Sequence, residues 1–324
     1  MKSISKTPVS FEAARRIAAD AFDGETLAAC EELTDGWFNA AYALRLADGR
    51  RAVLKVAPLP HVEVLTYERD ILRAEVEALR LTRAHTDAPV PDVLWFDDSA
   101  THVPSALFVM SFVPGVSLDK LRETLDSDAQ DAVDAALGHH LRAINSISGS
   151  SFGLLAPSAV RHATWRDAFT ALWSALLDDG ARKNVELPVA YHELRAAFTL
   201  ASPACEEVTE PQLVYWDLWD GNVLVDPGTG ELQGMLDLER ALWGDPLMET
   251  QLAPSERRPA FMAAYRPAAL DTPGGQLRRA AYDLYLHLVM SIEGAYRQYP
   301  DDWIGDYARG QLAGDIEQLT SRVR

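Results

Sequence analysis

Two side chains in the stretch YWDLWDGNVLVD, Asp217 and Asn222, stand five residues apart and directly before the apolar run Val223 to Val225. Positions five apart on a helix diverge, so the spacing suits a loop that turns both side chains towards one point. There an aspartate can take the proton of a hydroxyl, and an asparagine can bind a hard cation through oxygen. Asp and Asn also serve as plain turn residues ahead of strands, so the pair needs partners elsewhere in the chain.

A second element supplies one. Leu232 to Leu236 is another apolar run, joined to Val223–Val225 by the turn Asp226-Pro227-Gly228-Thr229-Gly230, and Asp237 follows it. A hairpin with Asn222 and Asp237 at its two ends brings both oxygens to one side of the sheet, enough for a nucleotide-bound Mg²⁺ that completes its shell with water and phosphates. The third element is Lys55, inside the apolar run Ala52-Val53-Leu54-Lys55-Val56. A lysine so placed snorkels to solvent from an edge strand, pairs with an acid, or faces a ligand, and the helix that follows offers Glu75 and Glu77. A strand Lys held by a helix Glu and aimed at phosphates is one part of a protein-kinase site.

The elements that must position these residues are legible in outline. Ser10 precedes a helical pattern with Ala14, Ile17, Ala18 and Phe22 on one face. A strand ending near Thr34 follows, then a hairpin through Tyr42, Leu44 and Leu46, the Asp48-Gly49 turn and Ala52 to Val56. The spacing of Leu65, Ile71, Leu72, Val76 and Leu79 predicts a helix over 65–84, followed by short strands within 89–99 and 105–115. After Pro114-Gly115 the pattern becomes helical, beginning with a capping box of Ser127 and Gln130 and a buried face of Val133, Leu137, Leu141, Ile144 and Ile147. The expected class is α+β: an N-terminal lobe over 1–113 of antiparallel sheet plus helix, a hinge near 110–115, and a mostly helical lobe over 114–324.

Composition narrows the function classes. The chain has 324 residues, room for two lobes with cores, and no apolar run of membrane-spanning length. Its N-terminus lacks the apolar core of a signal peptide, so a cytoplasmic location is expected. A formal charge of −18 argues against nucleic acid as partner and would draw in a cationic small molecule, though acidic surfaces also simply keep proteins soluble. Cys30 and Cys205 are the only cysteines, and the histidines show no metal-ligand spacing.

Taken in order, Gly36-Trp37-Phe38-Asn39, Val53-Leu54-Lys55, Glu75, Phe108 to Gly115, Asp217 to Asn222, Asp237 and Trp243-Gly244-Asp245-Pro246 resemble the aminoglycoside phosphotransferase and choline kinase-like family, small-molecule kinases sharing the protein-kinase fold. The resemblance runs over most of the chain. It implies Asp217 as the catalytic base, Asn222 and Asp237 as Mg²⁺ ligands, and Lys55 held by Glu75 on the nucleotide phosphates. It further implies Gly36 and Asn39 in the loop over the nucleotide, adenine on backbone groups of Ser111 and Val113, and Met110 behind the ring. The cofactors are then ATP, with GTP as the alternative, and Mg²⁺. The acceptor is a small-molecule hydroxyl, and the protein a monomer or homodimer.

Three departures from the family stand out. Tyr215-Trp216 replaces the usual His-Gly before the base, the loop at Gly36 is crowded by Trp37 and Phe38, and Asp217-Leu218-Trp219 resembles the ketosamine kinases. Trp216 is expected to pack beneath the loop and Trp219 to face the acceptor, together with Asp220, Glu239, Arg240, Tyr285 and Glu293. Acids there suit an amino sugar, and aromatics suit stacking on a sugar. An aminoglycoside or related antibiotic or amino sugar leads as acceptor. A ketosamine, a choline-like amine or a nucleoside antibiotic is the alternative, and a nucleotide-binding pseudokinase is the reading from another class.

Overall fold

The computed structural model describes residues 3–249 and 258–323. Helix α1 (Phe11–Ala21) is capped by the Ser10 hydroxyl, which accepts from Ala13 N, and buries Ala13, Ala14, Ile17 and Ala18. Strands β1 (Leu27–Leu33), β2 (Ala40–Leu46) and β3 (Arg51–Val56) follow, with Gly49 at φ 91° in the β2–β3 turn, a conformation open to glycine.

Helix α2 runs from Ile71 to His85, starting later than the spacing of its apolar residues predicts. The reason is local. Residues 66–68 form a tight turn in which Glu68 accepts from Leu65 N, and Asp70 adopts φ 57°, a left-handed backbone that an α-helix does not contain. Strands β4 (Val93–Asp97) and β5 (Leu107–Ser111) complete a five-stranded antiparallel sheet in the order β1-β2-β3-β5-β4. The strand carrying Lys55 is therefore central, paired to Ala41 on one side and Phe108 on the other, and not a solvent-facing edge.

The chain leaves the sheet through β6 (Val116–Ser117) and α3 (Leu118–Leu121). Gly115, at φ 141°, lets the crossing approach Val225, whose carbonyl would lie 3.0 Å from any Cβ at that position. Helix α4 (Ser127–Asn145) is capped one residue earlier than expected: Asp126 accepts from Ala129 N, while the Gln130 amide donates to the carbonyls of Arg122 and Leu125. The rest comprises β7 (Gly153–Leu154), α5 (Trp165–Arg182), α6 (Tyr191–Ala201), β8 (Gln212–Val214), β9 (Val223–Val225), β10 (Leu232–Met235), β11 (Leu242–Gly244), α7 (Pro259–Tyr265), α8 (Pro273–Arg297) and α9 (Trp303–Val323). The expected hairpin is β9–β10, with Asp226 accepting from Gly228 N and Thr229 N in its turn, and β6 adds to it on the far side of β9.

Two cores hold the molecule. One packs α1 on the outer face of the sheet, and the larger runs from α2 through an aromatic column of Trp165, Phe169, Trp173, Tyr285 and Trp216. This is the two-lobe protein-kinase-like architecture, α+β with a helical second part.

Candidate active site

Lys55 gathers the acids. Its ammonium donates to both Glu75 oxygens at 2.7 and 2.8 Å and to Asp237, and it lies 3.9 Å from Glu239. Glu75 sits on the buried face of α2, whereas Glu77 is exposed on another face. Burial opposes the charge on Lys55, but the carboxylates of Asp237, Glu75 and Glu239 outweigh it and hold its pKa above the ordinary lysine value. The acids are crowded in turn, and burial raises Glu75 and Glu239 above the usual carboxylate range. Three acidic side chains share one ammonium, and a divalent cation would add the positive charge that this crowding calls for.

The second half of the site is the loop between β8 and β9. Its backbone is gripped from below by Glu249, which accepts from Tyr215 N at 2.9 Å, Trp216 N at 3.0 Å and the Asn145 amide at 2.8 Å. The Tyr215 phenol donates to the carbonyl of Leu236, tying the loop to the strand end that carries Asp237. Asp217 follows, its carboxylate 3.7 Å from Arg240. Burial raises its pKa, Arg240 pulls it down, and the charges of Asp237 and Glu293 add to the rise.

Asn222 turns back on the same loop. Its amide nitrogen donates to Asp217 O at 2.9 Å, while Leu236 N donates to its backbone carbonyl at 2.8 Å. The amide oxygen, the atom that binds cations, has no hydrogen bond among the described residues. Oxygens of Glu75, Asp237 and Glu239 lie within 4.8 Å of one another, so the donor set is hard and anionic and fits Mg²⁺ chemistry.

The remaining predicted residues divide. Trp219 is 44% exposed, its ring lying over Gly221. Asp220, also expected at the acceptor, is instead bound by Arg122 and lies 3.8 Å from Arg258, and both arginines bind Asp134 on α4. Glu239, also expected at the acceptor, belongs with Lys55 and accepts from the Asn39 amide at 2.7 Å. Tyr285 is 1% exposed and stacked on Trp216, and so forms floor rather than lining. Glu293 is buried between Arg240 at 3.1 Å and Arg297 at 3.4 Å. Arg240 itself lies over the rings of Tyr67 and Trp216, and its buried Nε has no hydrogen-bond partner among the described residues.

In the β1–β2 loop, Gly36 keeps an ordinary backbone and the aromatics do the anchoring. Trp37 meets Tyr299 edge-on, and Phe38 lies under the Arg297 guanidinium. Asn39 is buried, and its amide oxygen has no hydrogen-bond partner among the described residues. At the hinge, Met110 is buried in β5, Ser111 N already donates to Asp92 O, and Val113 packs on Gly234 with no backbone partner among the described residues.

Arg122, Asp134, Arg258 and Glu249 escape sequence reasoning. Arg122 and Asp220 are 98 residues apart, and no local pattern links them. Glu249 lies just beyond Trp243-Gly244-Asp245-Pro246, and that proximity was the available signal. Asp245 in that motif is structural: it accepts from Arg278, Tyr282 and Leu247 N.

The model of the phosphotransferase enzyme family matches residues 29–283. Among solved structures, a thermostable mutant of aminoglycoside phosphotransferase APH(4)-Ia in its apo form is 21% identical, with a TM-score of 0.66 over 94% of this chain and 98% of that one. A putative fructosamine-3-kinase from Thermobifida fusca is 19% identical, with a TM-score of 0.64 over 95% and 99%. The GDP complex of an aminoglycoside 2'-phosphotransferase-IIIa F108L mutant is 17% identical, with a TM-score of 0.63 over 97% and 100%. Comparison with curated protein sequences gave no match.

Proposed function

The chain belongs to the phosphotransferase enzyme family, and from that premise we propose that it moves the γ-phosphoryl group of ATP to a hydroxyl of a small molecule, with an aminoglycoside or related antibiotic or amino sugar as leading acceptor. One observation carries the reading: Lys55, on a central strand, is held by both oxygens of Glu75 and reaches Asp237, whose strand is tied by Tyr215 to the loop bearing Asp217. Residues 1–113 then form the nucleotide-binding lobe and 114–324 the catalytic and acceptor lobe.

Bound Mg-ATP would supply the electrophilic phosphorus, its leaving group and the countercharge for the acidic cluster. Lys55 would neutralise the α and β phosphates, and Asn222, Asp237 and Glu239 would hold the cation. Asp217 would orient the acceptor hydroxyl and take its proton on the carboxylate. Its raised affinity for protons suits that task, and Arg240 at 3.7 Å keeps it ionised between turnovers. Met110 and Val113 would receive the adenine. Ser111 would act through its carbonyl, because its N–H is already paired. GTP remains an alternative donor, since the aminoglycoside 2'-phosphotransferase neighbour is a GDP complex. The exposed Trp219 would stack on the acceptor, and the net charge of −18 favours a cationic one in the cytoplasm.

A ketosamine acceptor is the second reading, favoured by Asp217-Leu218-Trp219 and by the putative fructosamine-3-kinase among the structural neighbours. The test is ADP release from Mg-ATP with aminoglycosides, amino sugars and ketosamines as acceptors. Asp217→Asn is expected to lower kcat by about 10² to 10⁴ while nucleotide binding survives. Asp237→Ala is expected to weaken Mg-ATP binding itself. Undiminished turnover in Asp217→Asn overturns the mechanism, and nucleotide binding without turnover on any acceptor favours a binding module.

A further inference from the structure

Behind α2, on the face turned away from Glu75, lies a cavity of about 450 Å³ that none of these roles uses. Arg73 and Arg80 of α2, Phe96 of β4, and Leu155, Arg161 and Trp243 of the helical lobe line it, so both lobes contribute. At about 100° per residue, Arg73 and Arg80 fall roughly 140–160° around α2 from Glu75, opposite the Lys55 contact. The volume is that of a small-molecule site.

The walls have a definite chemistry. Trp243 is fixed: its backbone pairs with Leu213 and Gly153, and its ring covers Gly149 so closely that a Cβ there would lie 2.6 Å away. With Phe96 and Leu155 it offers a rigid apolar floor. The rim is cationic. Among the described residues the Arg80 side chain makes no hydrogen bond or ion pair, and Arg73 pairs with Asp98 at 3.0 Å while its buried Nε has no partner. Among the described residues the Arg161 guanidinium donates to the carbonyls of Gly153 and Leu155 and to no carboxylate. Glu77 and Asp98 also line the cavity, so three guanidinium groups face two carboxylates, a local positive excess on a chain of charge −18.

We propose that this cavity is a second binding site, for a small amphipathic anion whose apolar body lies against Trp243, Phe96 and Leu155 and whose carboxylate, sulfonate or phosphate meets Arg73 and Arg80. Because the opposite face of α2 carries Glu75, the occupant shifts the Glu75–Lys55 pair and with it nucleotide affinity. That coupling rests on the function proposed above, whereas the binding does not.

Anilinonaphthalene sulfonate is a probe of this chemistry that reports by fluorescence without turnover. Titrated into the intact protein with the cleft saturated by Mg-AMP-PNP, it is expected to bind saturably, and Arg80→Glu and Arg73→Gln are each expected to weaken it about tenfold or more, the worth of a charge-assisted hydrogen bond. Trp219→Ala, outside the cavity lining, leaves its affinity unchanged. Loss of probe binding on adding AMP-PNP, absence of saturable binding, or unchanged affinity in both arginine variants overturns the site. The coupling is read separately as the nucleotide KM with and without probe: a change of about threefold or more that disappears in Arg80→Glu supports it. An unchanged KM beside intact binding overturns the coupling alone. Failure of AMP-PNP to bind at all would count against the kinase reading and not against this cavity.

Discussion

The indole of Trp216 stacks on the ring of Tyr285, centroids 5.7 Å apart and planes 24° from parallel, while its own backbone sits at φ 65°. The family places glycine here, and the left-handed backbone explains why: a residue with a side chain is strained at that φ by roughly 1–3 kcal/mol. Trp216 is nevertheless 2% exposed, edge-on to Tyr67 as well as stacked on Tyr285. Removing a buried tryptophan costs about 3–5 kcal/mol, so packing outweighs the strain. Trp216→Gly should therefore destabilise the protein by about 2–3 kcal/mol in urea unfolding, and a variant as stable as the parent would show that strain dominates.

Lys55 faces three acids, so the members of the cluster are unequal. Lys55→Met leaves the carboxylates of Glu75, Asp237 and Glu239 without their cation and should cost about 3–5 kcal/mol. Glu75→Gln removes one of three negative charges and should cost markedly less, on the order of 1 kcal/mol. Paired unfolding experiments on the two variants decide this, and equal or reversed costs contradict the charge balance described here.

Gly221 and Trp219 should behave as one unit. A Cβ on residue 221 would stand 2.2 Å from the Trp219 ring, so Gly221→Ala must displace the indole. Both Gly221→Ala and Trp219→Ala are expected to raise the acceptor KM with little change in the nucleotide KM. Trp219→Ala should alter stability by no more than about 0.5 kcal/mol, as expected of an exposed residue. Steady-state kinetics with each substrate varied in turn separates the outcomes, and an unchanged acceptor KM in both variants places the acceptor elsewhere.

Glu249 predicts a pH dependence of stability. Burial raises its pKa to about 7, against three N–H donors and Arg279, which pull it down. An acid whose pKa is higher folded than unfolded binds a proton on folding. Its contribution is therefore most favourable below its ordinary pKa and declines as pH rises towards about 7. Between about pH 5 and about pH 8 the parent should lose more unfolding free energy than Glu249→Gln, by roughly 2–3 kcal/mol. Parallel pH curves for the two proteins would show that this carboxyl does not titrate differently on folding.

Much of the architecture was written locally. The Asp48-Gly49 and Asp226–Gly230 turns, the alternation through Tyr42 to Leu46 and the helical faces of α1 and α4 depend on neighbours a few residues apart, and they formed where their patterns predict, except that Phe22 and Ile147 lie just past the ends of their helices. Errors fell at boundaries, where Asp70 and Asp126 used side-chain and left-handed backbone options that an apolar period does not record. The residue types that meet around Lys55, and their order, were also present in the sequence.

Which charges meet was decided only by the tertiary structure. Glu75 rather than Glu77 faces Lys55 because α2 turns that side to the sheet, and Glu239 joins them because the β9–β10 hairpin delivers its strand end there. Asp220 meets Arg122 and Asn39 meets Glu239 across 98 and 200 residues. A charge acts on whatever lies within a few ångströms, and over such separations only packing sets distance. The same packing turned Tyr285 and Glu293 inward and left Trp219 exposed.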